Sequence, residues 1–269
     1  MGVPMYVGTA PEDAQGVCAV SGQYFRNLTT AQIETLFANN FVLLNGDALE
    51  TLLSLGLGHL AGVQSAVWMR QNSGAYTFEQ VTNGKVYTTV PNARASSVIS
   101  GADALDVAYL PEAQRSEYSA LFDSFRKRRA ACEVVSQSRV LVYPFGRLGS
   151  PQEIPPMLMS DVRQEILQDV LAQSGCMTVP MIESSPNLAP YVFADGEADY
   201  LYLVNGALDA ADGISLRLPV ATGTYTLSVL PSRGEPRAFT IQAKNGRCVL
   251  PIQINSMESA LITMRKLEQ

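Results

Sequence analysis

The hydrophobic rhythm of the chain changes along its length. Up to about residue 175, short apolar runs alternate with segments whose apolar positions recur at helical spacing. Runs at 17–20, 41–44, 66–69 and 139–144 read as strands, and helical spacing covers 30–38, 47–55, 112–131 and 160–173. The clearest unit is 41–63, FVLLNGDALETLLSLGLGHLAGV. It predicts a buried strand, a turn at Asn45-Gly46, a helix with Leu49, Leu52 and Leu53 on one face, and a stop at Gly56 and Gly58. The first helix has Ile33, Leu36 and Phe37 on one face, and the last runs from Ser160 through Ile166, Leu167, Val170 and Leu171 to Gly175. This alternation predicts an α/β domain over residues 1–175 with a mostly parallel sheet. Residues 67–90 break it: Phe78, Val81, Val86 and Tyr87 flank Asn83-Gly84, which predicts an inserted β-hairpin.

From about residue 181 the helical period is gone. Runs at 189–193, 199–204, 214–218, 224–230, 238–243, 247–252 and 260–264 alternate with turn pairs such as Asn205-Gly206, Asp212-Gly213 and Asn245-Gly246. That spacing predicts a small all-β antiparallel sandwich over 181–269. Pro180, Pro186 and Pro190 mark the seam between the two parts.

Composition narrows the function. The chain has 269 residues, with 47% hydrophobic and 16% charged, which describes a folded chain with room for two cores. Its net charge of −6 opposes binding to nucleic acid, where Lys and Arg must neutralise phosphates. Neither a bilayer-spanning apolar run nor a secretory leader is visible in the sequence, so no membrane partner is expected. The start at Gly2-Val3-Pro4 lies almost inside a structural element, so a fragment of a longer protein is expected. Cys18, Cys132, Cys176 and Cys248 are widely spaced without a C-x-x-C pair. Buried free thiols are expected, leaning towards a reducing, cytoplasmic compartment, with no metal site.

Candidate chemistry is sparse. After the strand at 41–44, where an α/β unit can carry a nucleophile, the turn holds Asn45, Gly46 and Asp47. No Ser or Cys stands on a nucleophile elbow, so no catalytic residue is assigned. His59 is the single histidine, the base any Ser-His or Cys-His hydrolase would need, and its simpler role is to bond the last carbonyls of a helix. Asp195, Glu197 and Asp199 alternate like calcium ligands but fit a solvated hairpin turn. Asp103 and Asp106 stand at helical spacing, suiting a capping or surface role. The glycines of LGLGHLAG end a helix, whereas the nucleotide fingerprint opens one, so no cofactor is expected. Arg126, Lys127, Arg128 and Arg129 would sit at the end of the helix over 112–131. Trp68 and Tyr76 are the candidate ligand-binding residues, because the hairpin could present their rings to a carbohydrate.

The order GVPM, LTTAQIETLFANNFVLLNGDALETLLSLGLGHLAGV, SRVLVYPFGRL and MLMSDVRQEILQDVLAQSG resembles the region that follows the barrel in bacterial glycoside hydrolases. It is similar to the beta-galactosidase trimerisation-type domain, which has a class I glutamine amidotransferase-like, Rossmann-like fold without catalytic apparatus. YLYLVNGALDAADGISLRLPVATGTYTLSVL is similar to the C-terminal β-sandwich of such enzymes. The resemblance implies a non-catalytic accessory or oligomerisation region, with the catalytic carboxylates in an upstream barrel. The partners it implies are that upstream catalytic domain, a second copy of the chain, or a carbohydrate. A carbohydrate-binding module and a cryptic hydrolase using His59 are the alternatives.

Overall fold

The computed structural model describes residues 16–69, 78–81, 86–88, 104–122, 127–144, 161–173, 180–183, 188–194, 199–219 and 222–267. Two compact units divide the chain. One comprises Gly8–Val162 and Asp169–Cys176, the other Met1–Val7, Arg163–Gln168 and Met177–Gln269.

The α/β unit runs β1 (Gly16–Val20), α1 (Gly22–Phe25), α2 (Thr30–Asn39), β2 (Asn40–Leu44), α3 (Gly46–Ser54) and a tight 3-10 turn (Gly58–Ala61). It continues with β3 (Val63–Met69), β4 (Phe78–Val81), β5 (Val86–Thr88), β6 (Ala104–Tyr109), β7 (Arg115–Phe122), β8 (Arg128–Val135) and β9 (Val140–Val142). Helix α2 starts at a capping box: the Gln32 N–H donates to Thr29 Oγ1 at 3.3 Å, and the Thr29 N–H to Gln32 Oε1 at 2.9 Å. Helix α3 starts at Asn45, whose Oδ1 accepts the Ala48 N–H at 2.9 Å. Gly56 ends it in the left-handed region with φ +75. The Gly56 N–H bonds Leu53 O and the Leu57 N–H bonds Leu52 O, both at 3.0 Å, so the backbone satisfies those terminal carbonyls.

Among the described residues the main sheet has the order β1-β2-β9-β8-β7-β4-β5, and β3 and β6 form a separate antiparallel ribbon. β1–β2 and β2–β9 are parallel, and every other neighbouring pair is antiparallel. The expected mostly parallel sheet is therefore corrected to a mixed one. Parallel neighbours need a long crossover, whereas β7–β8 and β8–β9 are joined by short connections that reverse the chain. β2 is buried along nearly its whole length, which explains its continuous apolar run. Val42, Leu44, Val140 and Val142 pack with Ile33, Leu36, Leu49 and Leu52 into one core.

Two further expectations change. The helix over 112–131 is instead the hairpin β7–β8, whose pairing is shifted by bulges between Glu117 and Ser119 and between Leu121 and Phe122. An added residue destroys two-residue alternation, and Tyr118, Leu121 and Phe122 then fall by chance at helical spacing. The hairpin within 67–90 exists as β4–β5, but β4 pairs with β7, so it extends the edge of the main sheet. Tyr76 and Asn83-Gly84 lie outside the described residues.

Helix α4 (Asp161–Gln173) contributes residues to both units. The second unit contains β10 (Met181–Ile182), β11 (Leu188–Ala194), β12 (Asp199–Asn205), β13 (Ser215–Arg217), β14 (Gly223–Pro231), β15 (Arg237–Ala243), β16 (Arg247–Val249) and β17 (Ser259–Lys266). They form an antiparallel five-stranded sheet, β11-β12-β17-β14-β15, and an antiparallel three-stranded sheet, β10-β13-β16. Leu201, Leu203, Leu227 and Ile262 from the first share a core with Ile182, Leu216 and Cys248 from the second, giving the unit its sandwich character. Asn205, at the end of β12, is buried. Its Nδ2 donates to Asp209 O at 2.8 Å, Ile254 O at 3.0 Å and Asn255 O at 3.1 Å, and its Oδ1 accepts the Ala207 N–H at 3.0 Å.

Candidate functional site

In α/β folds, ligands sit beyond the carboxyl ends of parallel strands. Here Ser21 and Gly22 follow β1, and Asn45, Gly46 and Asp47 follow β2. Asp47 is buried, and its Oδ2 accepts the Gly22 N–H at 2.8 Å. That N–H opens α1 and has no partner inside the helix. Asp47 also occupies the first turn of α3, where the helix dipole favours an anion. A Cβ built on Gly22 would stand 2.4 Å from both Asp47 Oδ2 and Thr51 Oγ1, and 2.7 Å from Asp47 O. The place where a nucleophile would stand is a close-packed joint between two helix starts, and the side chains of Asn45 and Asp47 are both engaged in it.

A second polar cluster lies on the main sheet. Glu117 on β7 and Glu133 on β8 are directly opposed, so their side chains share a face. Arg115 donates to Glu133 Oε1 at 3.2 Å, and Arg128 pairs with Glu117. The Arg115 guanidinium also lies over the Tyr109 ring, 4.7 Å from its centroid. Burial, followed by the negative charge of Glu133, pushes the Tyr109 hydroxyl well above its ordinary value. Two adjacent carboxylates are the equipment of a glycosidase. Here each is taken up by a guanidinium, an arrangement that offsets the repulsion between opposed like charges. The sequence reading missed this cluster because it placed β7 and the first half of β8 in a helix over 112–131, which left Glu133 just beyond the helix end. The Asp123-Ser124 turn pair inside that helix and the β-rich CEVV over 132–135 directly after it were the signals for a hairpin.

The other candidates are dispersed. Trp68 on β3 pairs with Leu105, is half-buried and packs against the α/β core. Tyr76 lies outside the described residues, so the two are not brought together. His59 is exposed in the turn after α3, and the carbonyls it was expected to bond are taken by Gly56 and Leu57. Asp106 is exposed on strand β6 and not on a helix, and Asp103 lies outside the described residues. Lys127 and Arg128 stand at the start of β8, which corrects the basic helix end, and Arg126 lies outside. Asp199 opens β12 opposite Ala194, and residues 195–198 between them lie outside. Among the described residues no group of three or more His, Cys, Asp and Glu could hold a metal ion. No described helix is long and apolar enough to cross a membrane.

Cys18, Cys132 and Cys248 are in no disulfide, and Cys176 lies outside the described residues. Burial pushes the Cys18 thiol up to about 12 and the Cys248 thiol up to about 11, from an ordinary 9.0. Because the thiolate is the reactive form, iodoacetamide at mildly alkaline pH should label both at least about tenfold more slowly in the native chain than in denaturant. Equal rates would contradict the burial. The fold favours the neutral thiols, so their contribution to stability is complete below the ordinary 9.0 and falls as pH rises from there through about 11 to 12.

No family model matches the sequence, and no match is found among curated proteins. Among solved structures the chain is similar to alpha-L-fucosidase isoenzyme 2 from Paenibacillus thiaminolyticus, with TM-score 0.48, 11% identity, and coverage of 88% of this chain and 38% of that one. It is similar to a beta-galactosidase from Bacillus circulans sp. alkalophilus, with TM-score 0.46, 7% identity, and coverage of 94% and 33%. It is similar also to Gan42B, a GH42 beta-galactosidase from G. stearothermophilus, with TM-score 0.45, 11% identity, and coverage of 92% and 30%. The chain thus spans less than two fifths of the length of each.

Proposed function

We propose that this chain is a non-catalytic accessory region of a glycoside-hydrolase-like protein. In this reading the mixed α/β unit is an amidotransferase-type, Rossmann-like domain that has given up catalysis. The observation that carries the reading is the joint at Asp47: its carboxylate is buried and committed to the Gly22 N–H at 2.8 Å. A catalytic turn must leave its functional group free to meet a substrate. The paired arginines on Glu117 and Glu133 support the same conclusion for the second polar cluster. The chain's contribution would be structural, either in self-association or in shaping the rim of an active site built elsewhere.

The purified chain should release no chromophore from a panel of aryl glycosides. Turnover that disappears in Glu133→Gln, with the fold retained by circular dichroism, would overturn the proposal and make the sheet cluster an active site.

A further inference from the structure

The sequence contains four Asn-Gly pairs, at 45–46, 83–84, 205–206 and 245–246, and three of them fall among the described residues. A glycine after asparagine leaves its backbone nitrogen unshielded by a Cβ. That nitrogen can attack the asparagine side-chain carbonyl, and the three environments differ sharply in whether they permit it.

Asn45 and Asn205 are held. The first caps α3 through its Oδ1 at 2.9 Å from the Ala48 nitrogen. The second makes the four-partner buried network at the end of β12, and cyclisation would break all of it. Asn245 is different. It is exposed, and its side chain has no partner among the described residues. With φ 51, followed by Gly246 at φ 71, it forms the two-residue turn joining β15 to β16. Lys244 and Arg247 close that turn through reciprocal backbone bonds of 2.9 and 3.0 Å, and the Gly246 N–H has no acceptor among the described residues. Lys244, Asn245 and Arg247 are exposed while Gly246 is buried, and a two-residue surface turn of this kind opens locally at little cost.

We propose that Asn245 is a spontaneous modification site at which the chain converts to aspartate and isoaspartate. The Gly246 nitrogen forms a bond to Asn245 Cγ, the Cγ–Nδ2 bond breaks, and the departing nitrogen leaves as ammonia with the proton lost from Gly246. Water then adds to one of the two carbonyls of the resulting succinimide and reopens the ring. Opening at one carbonyl yields aspartate and at the other isoaspartate, whose main chain runs through an extra methylene. The new carboxylate lies between Lys244 and Arg247, both exposed cations.

The position gives the change a consequence. β15 belongs to the five-stranded sheet and β16 to the three-stranded sheet, so this turn is a corner of the sandwich. Gly246 O also accepts the Leu218 N–H at 2.7 Å, and Cys248 and Leu250 just beyond are buried in the core. A main chain lengthened by one carbon cannot keep a two-residue turn in register. Isoaspartate at this site therefore loosens the corner, while aspartate leaves its connectivity intact.

The test is to age the full chain in mildly alkaline native buffer and follow each asparagine by peptide mapping. The signal is the mass gained when the amide NH2 becomes OH. The Asn245 peptide should convert at least about tenfold faster than the Asn45 and Asn205 peptides, since both of those must first open a bonded structure. In denaturant the three rates should converge. Conversion of Asn245 no faster than Asn205 in the native chain would overturn the proposal.

Discussion

Asn205→Asp should destabilise the sandwich unit by about 3–5 kcal/mol, the cost expected when a buried charge has no compensating partner. The amide nitrogen of Asn205 faces the carbonyl oxygens of Asp209, Ile254 and Asn255. A carboxylate oxygen there would be a fourth acceptor facing three others, two of which already hold donors of their own, Ile254 O the Ala211 N–H at 2.8 Å and Asn255 O the Glu258 N–H at 3.1 Å. Asn205→Ala should cost less, about 1–3 kcal/mol, because it removes the amide's bonds without adding charge, and Ile254 O and Asn255 O keep the Ala211 and Glu258 N–H donors. Hydrogen exchange of the β12 and β17 amides would measure both variants within this unit. An aspartate variant as stable as the alanine variant would show that the amide nitrogen is not the essential group. The variants should also differ in pH response. The protonated carboxyl is the form the fold tolerates, so the aspartate variant should be least impaired below the ordinary carboxyl value and lose stability as pH rises through it.

Gly22→Ala should be nearly as damaging, at about 3 kcal/mol or more, through overpacking of a joint that cannot expand. The added methyl would meet two side-chain oxygens and one backbone oxygen at 2.4–2.7 Å. Moving Asp47 aside would sacrifice its bond to the Gly22 N–H, so steric relief and hydrogen bonding oppose each other. Asp47→Ala removes the bond without adding bulk and should cost about 1–3 kcal/mol. Urea titration followed by the fluorescence of Trp68, the single tryptophan, reports on this unit. A Gly22→Ala variant more stable than Asp47→Ala would mean that the joint has slack.

What the sequence discloses tracks how local the determining interaction is. Residues 41–63 fold much as their pattern predicts, because the Asn45 cap, the Leu49 and Leu52 face and the Gly56 stop act within a turn or two of helix. The sandwich strands are legible for a similar reason, as alternation and turn pairs recur at short intervals. The mixed character of the main sheet is not legible, because the parallel partner of Leu43 is Leu141, and nothing near either residue announces the other. β7 and β8 escaped detection because the bulge at Glu117 and Ser119 erases the alternation that would have exposed them. The same loss hid the opposed pair Glu117 and Glu133. At the candidate site, the turn residues were readable but the fate of Asp47 was not. Its partner, the Gly22 N–H, is 25 residues away.

The pairing of β2 with β9 also sets an order of assembly. Val42 meets Val140 only after the chain has passed through β3 to β8, so closing that seam carries the entropy of a long loop. The β7–β8 and β8–β9 reversals pair near neighbours and can organise early. β9 then arrives already attached to an antiparallel partner, as the edge of a preformed template. High contact order leads us to expect this docking to be slow, and until it occurs β2 would present an unpaired apolar edge. The strand that carries the most legible pattern in the sequence is thus the one left waiting longest for its neighbour, and the one most exposed to pairing with another chain.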